Sequence, residues 1–297
     1  MTFSSSPPVT PTFLIGGAPK AGTSSLYHYL DQHPNVCMSA RKETGVFMDN
    51  YDRGLTWLAE TYYQHYDGES AVGEGSAGVL RRPECAERIY RALPEVKLIF
   101  LLRDPIDRLH SHFSFLQGVR AIDAEWSFSA YIRSDHRLRD RLIDQGFYHK
   151  HLTRFAQYFD RDQMLILLFD DLCTDTAATV RRAYQFIGVV SSFNPDLDTY
   201  NRTREPRFET AYRVLEGIWQ KVRSHLSMYT INQTRRLRKA VKSVVTQTTN
   251  RGAMSRADAV YLHDLYADSN RKLAHWLERD LSDWERRPAQ TTVSSNA

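Results

Sequence analysis

Short, mostly apolar runs alternate with helical patterns along this chain, and they restrict its fold more than any other feature. The clearest are Lys97–Leu102 (KLIFLL) and residues 164–169 (MLILLF), with a shorter run at 12–15 (TFLI). Strands that are apolar on both faces are typical of a parallel sheet covered by helices on both sides. The sequence therefore predicts a three-layer α/β fold with a central parallel sheet flanked by helices.

Helical patterns separate the apolar runs and set the expected domain organisation. They cover residues 23–32, 55–66, 83–93, 148–159 and 172–187. Another helix is expected through Gln117, because Asp104 suits an N-cap and Pro105 the first helical position. The predicted units are a flexible tail at 1–11, a core at 12–190, a mostly helical C-terminal part of the same domain at 191–286 that forms the acceptor site or lid, and a second tail at 287–297.

The three cysteines and the apolar patterning limit the class of protein. Cys37, Cys85 and Cys173 are far apart, so neither a disulfide framework nor a zinc site is expected. The first residues do not have the pattern of a signal peptide, and the apolar runs are too short for a membrane helix. We expect a reduced, cytoplasmic protein.

A glycine-rich segment at 16–25, GGAPKAGTSS, lies between a predicted strand and a predicted helix. Its glycines allow the backbone to approach an anion, and the amides at a helix start point toward one. Lys20 adds a positive charge, and three hydroxyl groups follow it. A Walker A loop requires a lysine directly after its last glycine, where this chain has Thr23. A nucleotide kinase therefore fits poorly, and a glycine-rich turn without a ligand stays open as an alternative.

A second candidate anion site follows the strongest predicted strand. Arg103 comes directly after that strand, and Ser111 lies eight residues later on the next helix. The planar fork of an arginine and a serine hydroxyl suit a phosphate dianion. Taken alone, an arginine at a strand end is more often a surface ion-pairing residue.

Both segments resemble the nucleotide-binding motifs of sulfotransferases that use 3′-phosphoadenosine-5′-phosphosulfate (PAPS). The string PKAGTSSL resembles their 5′-phosphosulfate loop, and LIFLLRDPIDRLHSHF resembles their 3′-phosphate motif. The resemblance implies a P-loop-like fold and PAPS as co-substrate, without a metal. It assigns the 3′-phosphate to Arg103 and Ser111. The residues that it implies for the 5′-phosphosulfate are Lys20, Ala21, Gly22, Thr23, Ser24 and Ser25.

The segment at 41–47, RKETGVF, resembles the KE-x-x-x-F segment of the heparan sulfate N-/3-O-sulfotransferase branch. That resemblance implies that Glu43 is the general base and Lys20 a second catalytic residue. Cytosolic small-molecule sulfotransferases use a histidine instead. A surface role for Glu43 stays open, and the alternative bases are His28, His33, His110, His112, His149 and His151. The chain departs from the branch at Gly75, where many members have a lysine after the glutamate of the next strand motif.

The predicted function is transfer of the sulfuryl group from PAPS to a hydroxyl or amine of a saccharide, lipid or secondary metabolite. Adenosine 3′,5′-bisphosphate would be released. The resemblance covers about 13–187, and no clear lid motif is found beyond it, although 201–207 is basic. The amphipathic basic segment 235–245 indicates peripheral membrane contact, an acidic acceptor or a solvated helix, and no nucleic acid is expected. The alternatives are a P-loop nucleotide kinase and an inactive nucleotide- or membrane-binding module.

Overall fold

The computed structural model describes residues 8–197, 204–206, 246–248 and 254–285. Five parallel strands form its central sheet in the order β2-β3-β1-β4-β5. They are β1 (Phe13–Gly17), β2 (Val36–Met38), β3 (Ala71–Gly75), β4 (Lys97–Leu102) and β5 (Met164–Leu168). The predicted parallel sheet is confirmed, and β1 lies in its middle between β3 and β4.

Helices connect the strands and extend the chain beyond them. They are α1 (Thr23–Leu30), α2 (Gly54–Tyr62), α3 (Cys85–Ala92), α4 (Pro105–Gly118), α5 (Phe128–Arg133), α6 (Arg139–Asp144), α7 (Tyr148–Phe155), α8 (Phe169–Thr174), α9 (Thr176–Ile187) and α10 (Arg256–Leu277), numbered over the described residues. Single 3₁₀ turns lie at Tyr51–Arg53, Arg161–Gln163 and Ser282–Glu285.

The strands are apolar on both faces because helices cover both faces. In β4, Leu98 and Phe100 pack into a core cluster with α3, α7 and α10, while Ile99 and Leu101 pack into another with α1 and α9. Full burial of each such side chain contributes about 1.5–3 kcal/mol. The three-layer α/β fold is thus built by the apolar runs from which it was predicted.

The helical C-terminal extension is confirmed by α10, which bonds to α6, while the segment just after it bonds to α8. Its Tyr266 hydroxyl donates to the carbonyl of Ile143 (2.8 Å). Arg279, just beyond the helix, donates to both carboxylate oxygens of Asp171 in α8 (2.8 and 2.5 Å). The first contact attaches α10 to α6, and the second attaches the segment after α10 to the helix that follows β5.

Several predicted elements differ from the observed ones. The single helix expected at 172–187 is two helices, since Asp175 leaves the helical conformation and caps α9 by accepting from the Ala178 amide (2.8 Å). The helices expected at 55–66 and 148–159 end earlier, at Tyr62 and Phe155. Helices α5 and α6 were not predicted, and neither were the short antiparallel strands β6 (Arg204–Pro206) and β7 (Thr246–Thr248).

Some expectations fall on residues outside the described ranges. These are the basic segment 235–245, the second tail at 287–297, residues 1–7 of the first tail, and most of the candidate lid at 201–207. Within the described ranges, no helix combines the length and the apolar composition needed to cross a bilayer.

Candidate active site

The candidate site lies at the carboxyl edge of the sheet. Because β1, β3 and β4 are parallel neighbours, the segments that follow them meet at one edge. The Ala18 amide donates to the carbonyl of Leu101 (2.7 Å), and the Leu80 amide donates to that of Gly16 (2.8 Å). The glycine-rich loop, the turn after β3 and the residues after β4 are therefore bonded together.

The loop after β1 has a backbone that turns through left-handed conformations. Lys20 has a φ of 68° and Gly22 a φ of 92°. Gly22 is the N-cap of α1, and no side chain caps that helix. A Cβ at Gly22 would lie 3.0 Å from side-chain atoms of Leu172 and Phe169. The helix therefore presents its positive amino end, without a capping side chain, to the edge of the sheet.

The other predicted loop residues differ in what they can offer a ligand. Ala21 is fully buried, and its amide donates to the carbonyl of Ala18 (3.3 Å). The amide of Ser25 donates to Gly22 (3.0 Å), so Ser25 offers its hydroxyl rather than its amide. Thr23 is buried and Ser24 half-buried in the same first turn of α1.

Lys20 reaches from the loop to α4. Its Nζ lies 4.2 Å from the centroid of the Phe115 ring. Phe115 follows Ser111 by four residues on α4, so the two side chains lie on the same helical face. The structure thus brings the lysine of the first motif to the helix that carries the serine of the second.

Arg103, which directly follows β4, contacts both α4 and α8. It pairs with Asp107 (3.1 Å), and its guanidinium carbon lies 4.6 Å from the centroid of the Phe169 ring. Its Nε is buried, and no described residue forms a hydrogen bond with it. A Cβ at Gly22 would lie 3.0 Å from the same ring, so Arg103 and the start of α1 both lie close to Phe169.

The start of α4 fixes the spacing between Arg103 and Ser111. Asp104 caps the helix, accepting from the amides of Ile106 (2.8 Å) and Asp107 (2.9 Å). Burial raises the pKa of Asp104 to about 6, although these hydrogen bonds oppose the shift. Ser111 is buried at 2% exposure, two turns into the helix.

Glu43 lies beside the loop, although it is distant in sequence. Its carboxylate accepts from the Ala77 amide (3.1 Å to Oε2) and pairs with Lys42. A Cβ at Gly17 would be 3.1 Å from the Ala77 carbonyl, so this turn touches the end of β1. Glu43 has a φ of 63°, and its side chain is 48% exposed.

Lys20 and Glu43 share an uncommon backbone conformation. Among the residues that the structure describes, the non-glycine residues with positive φ are Lys20, Glu43, Arg120 and Glu278. Such residues are uncommon and concentrate at functional sites. Two of the four are the residues predicted to be catalytic.

A family model described as the sulfotransferase domain matches residues 10–256. The chain belongs to this family. The site at the carboxyl edge of its sheet is therefore a candidate active site for sulfuryl transfer.

This sulfotransferase is similar to human and mouse enzymes of heparan sulfate modification. It is 30% identical over 203 residues to bifunctional heparan sulfate N-deacetylase/N-sulfotransferase 3 of Homo sapiens, covering 62% of this chain and 23% of that protein. It is 27% identical over 195 residues to heparan sulfate glucosamine 3-O-sulfotransferase 6 of Mus musculus, covering 60% and 52%. These matches confirm the predicted resemblance to the heparan sulfate branch. The chain spans about a quarter to a half of the length of these relatives.

A solved bacterial structure shares the fold over nearly the whole chain. The crystal structure of a sulfotransferase from Alicyclobacillus acidocaldarius matches with a TM-score of 0.67 and 26% identity. The match covers 94% of this chain and 100% of that one. The predicted P-loop-like sulfotransferase fold is confirmed.

The sequence analysis did not assign a role to Glu74, which is buried in β3 of this sulfotransferase. Its Oε1 accepts from the Ser76 hydroxyl (2.7 Å), the Thr44 hydroxyl (2.9 Å) and the Thr44 amide (3.3 Å). Burial raises the pKa of Glu74, opposed by the bonds from Ser76 and Thr44 and reinforced by the nearby Glu43 carboxylate. A glutamate flanked by two glycines within a buried strand, VGEGS, is the signal that could have identified it.

Gly75, where many members of the branch have a lysine, is closely surrounded. A Cβ at this position would be 2.8 Å from Cδ2 of Tyr27 and 3.5 Å from Cγ of Lys42. A side chain at 75 would therefore displace Tyr27. The Glu43 carboxylate pairs with Lys42, the lysine of the KE-x-x-x-F segment.

The histidines named as alternative bases have other surroundings. His33 bonds to the carbonyl of Val190 (3.0 Å), and the fully buried His151 to that of Asp144 (2.7 Å). His112 lies nearer the site, and Arg108 donates to its Nδ1 (3.2 Å). Burial, together with Arg108 and Lys20, lowers the pKa of His112 to about 3. Its Nδ1 lone pair is engaged, so it is a poor proton acceptor.

Proposed function

We propose that this sulfotransferase transfers the sulfuryl group of PAPS to a hydroxyl or amine of an acceptor and releases adenosine 3′,5′-bisphosphate. The observation that carries the proposal is the position of Lys20. Its ammonium lies on Phe115, one helical turn from Ser111, so the two predicted anion sites share one edge. A single nucleotide with phosphate groups at both ends fits such a pair.

The loop would hold the 5′-phosphosulfate. Lys20 supplies a full charge, and the uncapped amino end of α1 supplies backbone amides. The hydroxyls of Thr23, Ser24 and Ser25 would add donors, while Ala21 is buried and supports the loop from inside. A side chain at Gly22 would collide with Leu172 and Phe169, so glycine preserves the conformation of the loop.

Arg103 and Ser111 would hold the 3′-phosphate. The buried Nε of Arg103 is a donor without a partner in the described structure, which is costly unless a ligand accepts its hydrogen bond. A phosphate oxygen would satisfy it. The guanidinium lies against the ring of Phe169, and its Nη2 pairs with Asp107.

PAPS supplies an electrophilic sulfur whose leaving group is a phosphate. As the acceptor oxygen or nitrogen bonds to that sulfur and the bridging S–O bond breaks, Glu43 would take the acceptor's proton. Lys20 and the amides of α1 would stabilise the charge that passes to the 5′-phosphate. The half-exposed carboxylate of Glu43 is accessible to an acceptor that enters from solvent.

The acceptor proposed first is a saccharide. Similarity to heparan sulfate enzymes of both N- and 3-O-specificity supports it, although this chain spans only part of those proteins. In this proposal residues 12–190 bind the nucleotide, and residues in 191–286 contribute to the acceptor side. A lipid or a secondary metabolite is the alternative outcome of an acceptor screen.

The test is transfer of labelled sulfate from PAPS to saccharide acceptors by wild type and Glu43→Gln. We expect kcat to fall about 10²- to 10⁴-fold in the variant, because general base catalysis is lost. Glu95→Gln is the control, since Glu95 is an exposed glutamate near the opposite edge of the sheet. A fully active Glu43→Gln would remove Glu43 as the base.

Nucleotide choice is tested separately by thermal stabilisation. We expect adenosine 3′,5′-bisphosphate to raise the melting temperature and ATP with Mg²⁺ to have little effect. Preferential stabilisation by ATP with Mg²⁺ would contradict the proposed donor and favour a kinase.

A further inference from the structure

We propose that Glu74 is a positioning residue for Glu43. The proposal rests on the proposed function, because it matters for catalysis only if Glu43 accepts the proton of the acceptor. Glu74 does not face the acceptor itself, since it is almost completely buried (1% exposed). Its effect passes through the two segments that hold Glu43.

One oxygen of Glu74 joins these two segments. On one side it accepts from the amide and hydroxyl of Thr44, the residue directly after Glu43 (3.3 and 2.9 Å). On the other side it accepts from the hydroxyl of Ser76 (2.7 Å), the residue directly before Ala77. The Ala77 amide in turn donates to both oxygens of Glu43 (3.3 and 3.1 Å). The contacts form a closed ring that begins and ends at Glu43.

The backbone of Glu43 explains why such support is needed. Its φ of 63° is a conformation that L-residues adopt only where the surroundings impose it. The backbone amide of Glu43 donates to the carbonyl of Gly75 (2.7 Å), which attaches this segment to the end of β3. The side chain is half-exposed, so its own burial cannot fix it, and the ring through Glu74 supplies the constraint instead.

A purely structural explanation accounts poorly for a carboxyl group at this position. Burying a carboxyl group is unfavourable unless hydrogen bonds compensate, and an apolar side chain avoids that cost. Here three donors from two loops converge on one oxygen, and both loops contact the proposed base. The geometry therefore points to orientation of Glu43 rather than to core packing.

The experiment compares Glu74→Ala with Glu74→Gln in the full chain. We expect kcat of Glu74→Ala to fall about 100-fold with the KM for PAPS nearly unchanged, because a displacement of about 1 Å at a reacting group costs that much. Glu74→Gln keeps an oxygen that can accept from Thr44 and Ser76, so we expect it to restore most of the activity. Ser76→Ala removes one donor without altering Glu74, and its kcat should fall in the same direction by a smaller factor.

Asp258→Ala is the matched control. Asp258, at the start of α10, is another buried carboxylate that joins two segments. It accepts from Ser129 (2.6 Å) and pairs with Arg133, and both of these residues lie in α5. We expect this variant to lower the melting temperature without the selective fall in kcat. If the fall in kcat relative to the fall in melting temperature is the same in Asp258→Ala and Glu74→Ala, Glu74 has only a structural role and the proposal is overturned.

Amide hydrogen exchange gives a readout that is independent of turnover. In Glu74→Ala we expect faster exchange at the amides of Thr44 and Ala77, and exchange near the wild-type rate in Glu74→Gln. Unchanged exchange and unchanged kcat in Glu74→Ala would overturn the positioning role. A wild type that transfers no sulfuryl group from PAPS would overturn the proposed function instead, and the exchange data would still decide whether Glu74 fixes the Glu43 segment.

Discussion

The two segments of this sulfotransferase that are proposed to bind anions are built in different ways. The loop after β1 is built from backbone conformation, with positive φ at Lys20 and Gly22 and an uncapped helix start. The segment after β4 is built from side chains on a regular helix, where Arg103 and Ser111 are spaced by two turns and Asp104 caps the start. The loop should therefore be sensitive to shape, and the α4 segment to the chemical identity of its side chains.

Two aromatic rings join these segments. Phe169 packs between Gly22 and Arg103, and Phe115 lies under the ammonium of Lys20. Phe115 belongs to α4 and contacts the charged Lys20 of the loop. Phe169 contacts the charged Arg103 and lies close to Gly22 of the loop. The comparison therefore predicts that substitutions in the two segments lower kcat and nucleotide affinity in different proportions. It also predicts that a charge removed from one segment changes a pKa in the other.

The largest effect is expected from Lys20→Ala. We expect kcat to fall about 10³-fold with a smaller loss of affinity for adenosine 3′,5′-bisphosphate, because in the proposed function Lys20 stabilises charge that develops during transfer. Initial rates with labelled PAPS and calorimetric titration measure the two quantities. Lys150→Ala, an exposed lysine paired with Asp144, is the control. Equal losses of kcat and affinity would break the distinction between the two segments.

Arg103→Ala should lower nucleotide affinity more than kcat, the reverse of Lys20→Ala. We expect affinity for adenosine 3′,5′-bisphosphate to fall about 10- to 100-fold, as for loss of charge-assisted hydrogen bonds, with kcat at saturation much less affected. Arg103→Lys keeps the charge but loses the planar fork, so it should be intermediate. The exposed Arg91, paired with Glu87, provides the control variant Arg91→Ala. Unchanged affinity in Arg103→Ala would exclude it as a phosphate ligand.

Gly22→Ala tests whether the loop depends on shape. A Cβ there would lie 3.0 Å from Leu172 and Phe169, at a φ of 92°, so we expect a loss of about 1–3 kcal/mol in unfolding free energy. Gly68→Ala is a close control, because Gly68 has a φ of 93° and nothing within 4 Å of its Cβ position. Denaturant unfolding of both variants separates the cost of the conformation from that of the contacts. Equal losses would show that the contacts with Phe169 and Leu172 contribute nothing.

The smallest effect sharpens the claim that the two segments share one environment. Burial, Arg108 and Lys20 lower the pKa of His112 from 6.5 to about 3, so Lys20→Ala should raise it in an NMR titration. His149, whose pKa is lowered by burial and by Lys272, should titrate as in the wild type. An unchanged pKa of His112 would show that the charge of Lys20 does not act on α4.

The same histidine makes one contribution to the pH dependence of stability, and Asp104, whose pKa burial raises from 3.8 to about 6, makes the opposite contribution between these two values. Between pH 6.5 and about 3 the unfolded chain binds a proton at His112 that the folded protein does not, so the contribution of His112 to stability falls as the pH falls. The slope from this group is about 1.4 kcal/mol per pH unit. His112→Asn should remove it, which denaturant unfolding between pH 4 and pH 7 would detect as a shallower loss relative to wild type.

Local sequence predicted the elements whose character is set by local pattern. The strand Lys97–Leu102 has the predicted bounds, because an uninterrupted apolar run has few alternatives to a buried strand. The helix expected at 172–187 is interrupted, because Asp175 competes for the backbone as a cap. Helices α5 and α6 are six residues each, too short to show a clear period.

The candidate site divides in the same way. Lys20, Arg103 and Ser111 could be named from the sequence, since each follows a strand that the sequence predicts. The role of Glu74 could not, because its partners Thr44 and Ser76 come from two different loops. The close packing of Gly75 against the ring of Tyr27 likewise depends on the tertiary structure.

The sequence by itself determined the parallel sheet, the glycine-rich loop at the end of its first strand and the two motifs that follow β1 and β4. Only the tertiary structure decided that Lys20 meets the Ser111 face of α4 and that Glu43 is held through a buried carboxyl group. The physical reason is the distance along the chain over which each interaction acts. Periodicity and glycine conformation act between near neighbours in the chain, whereas hydrogen-bond geometry between loops exists only after the strands have paired.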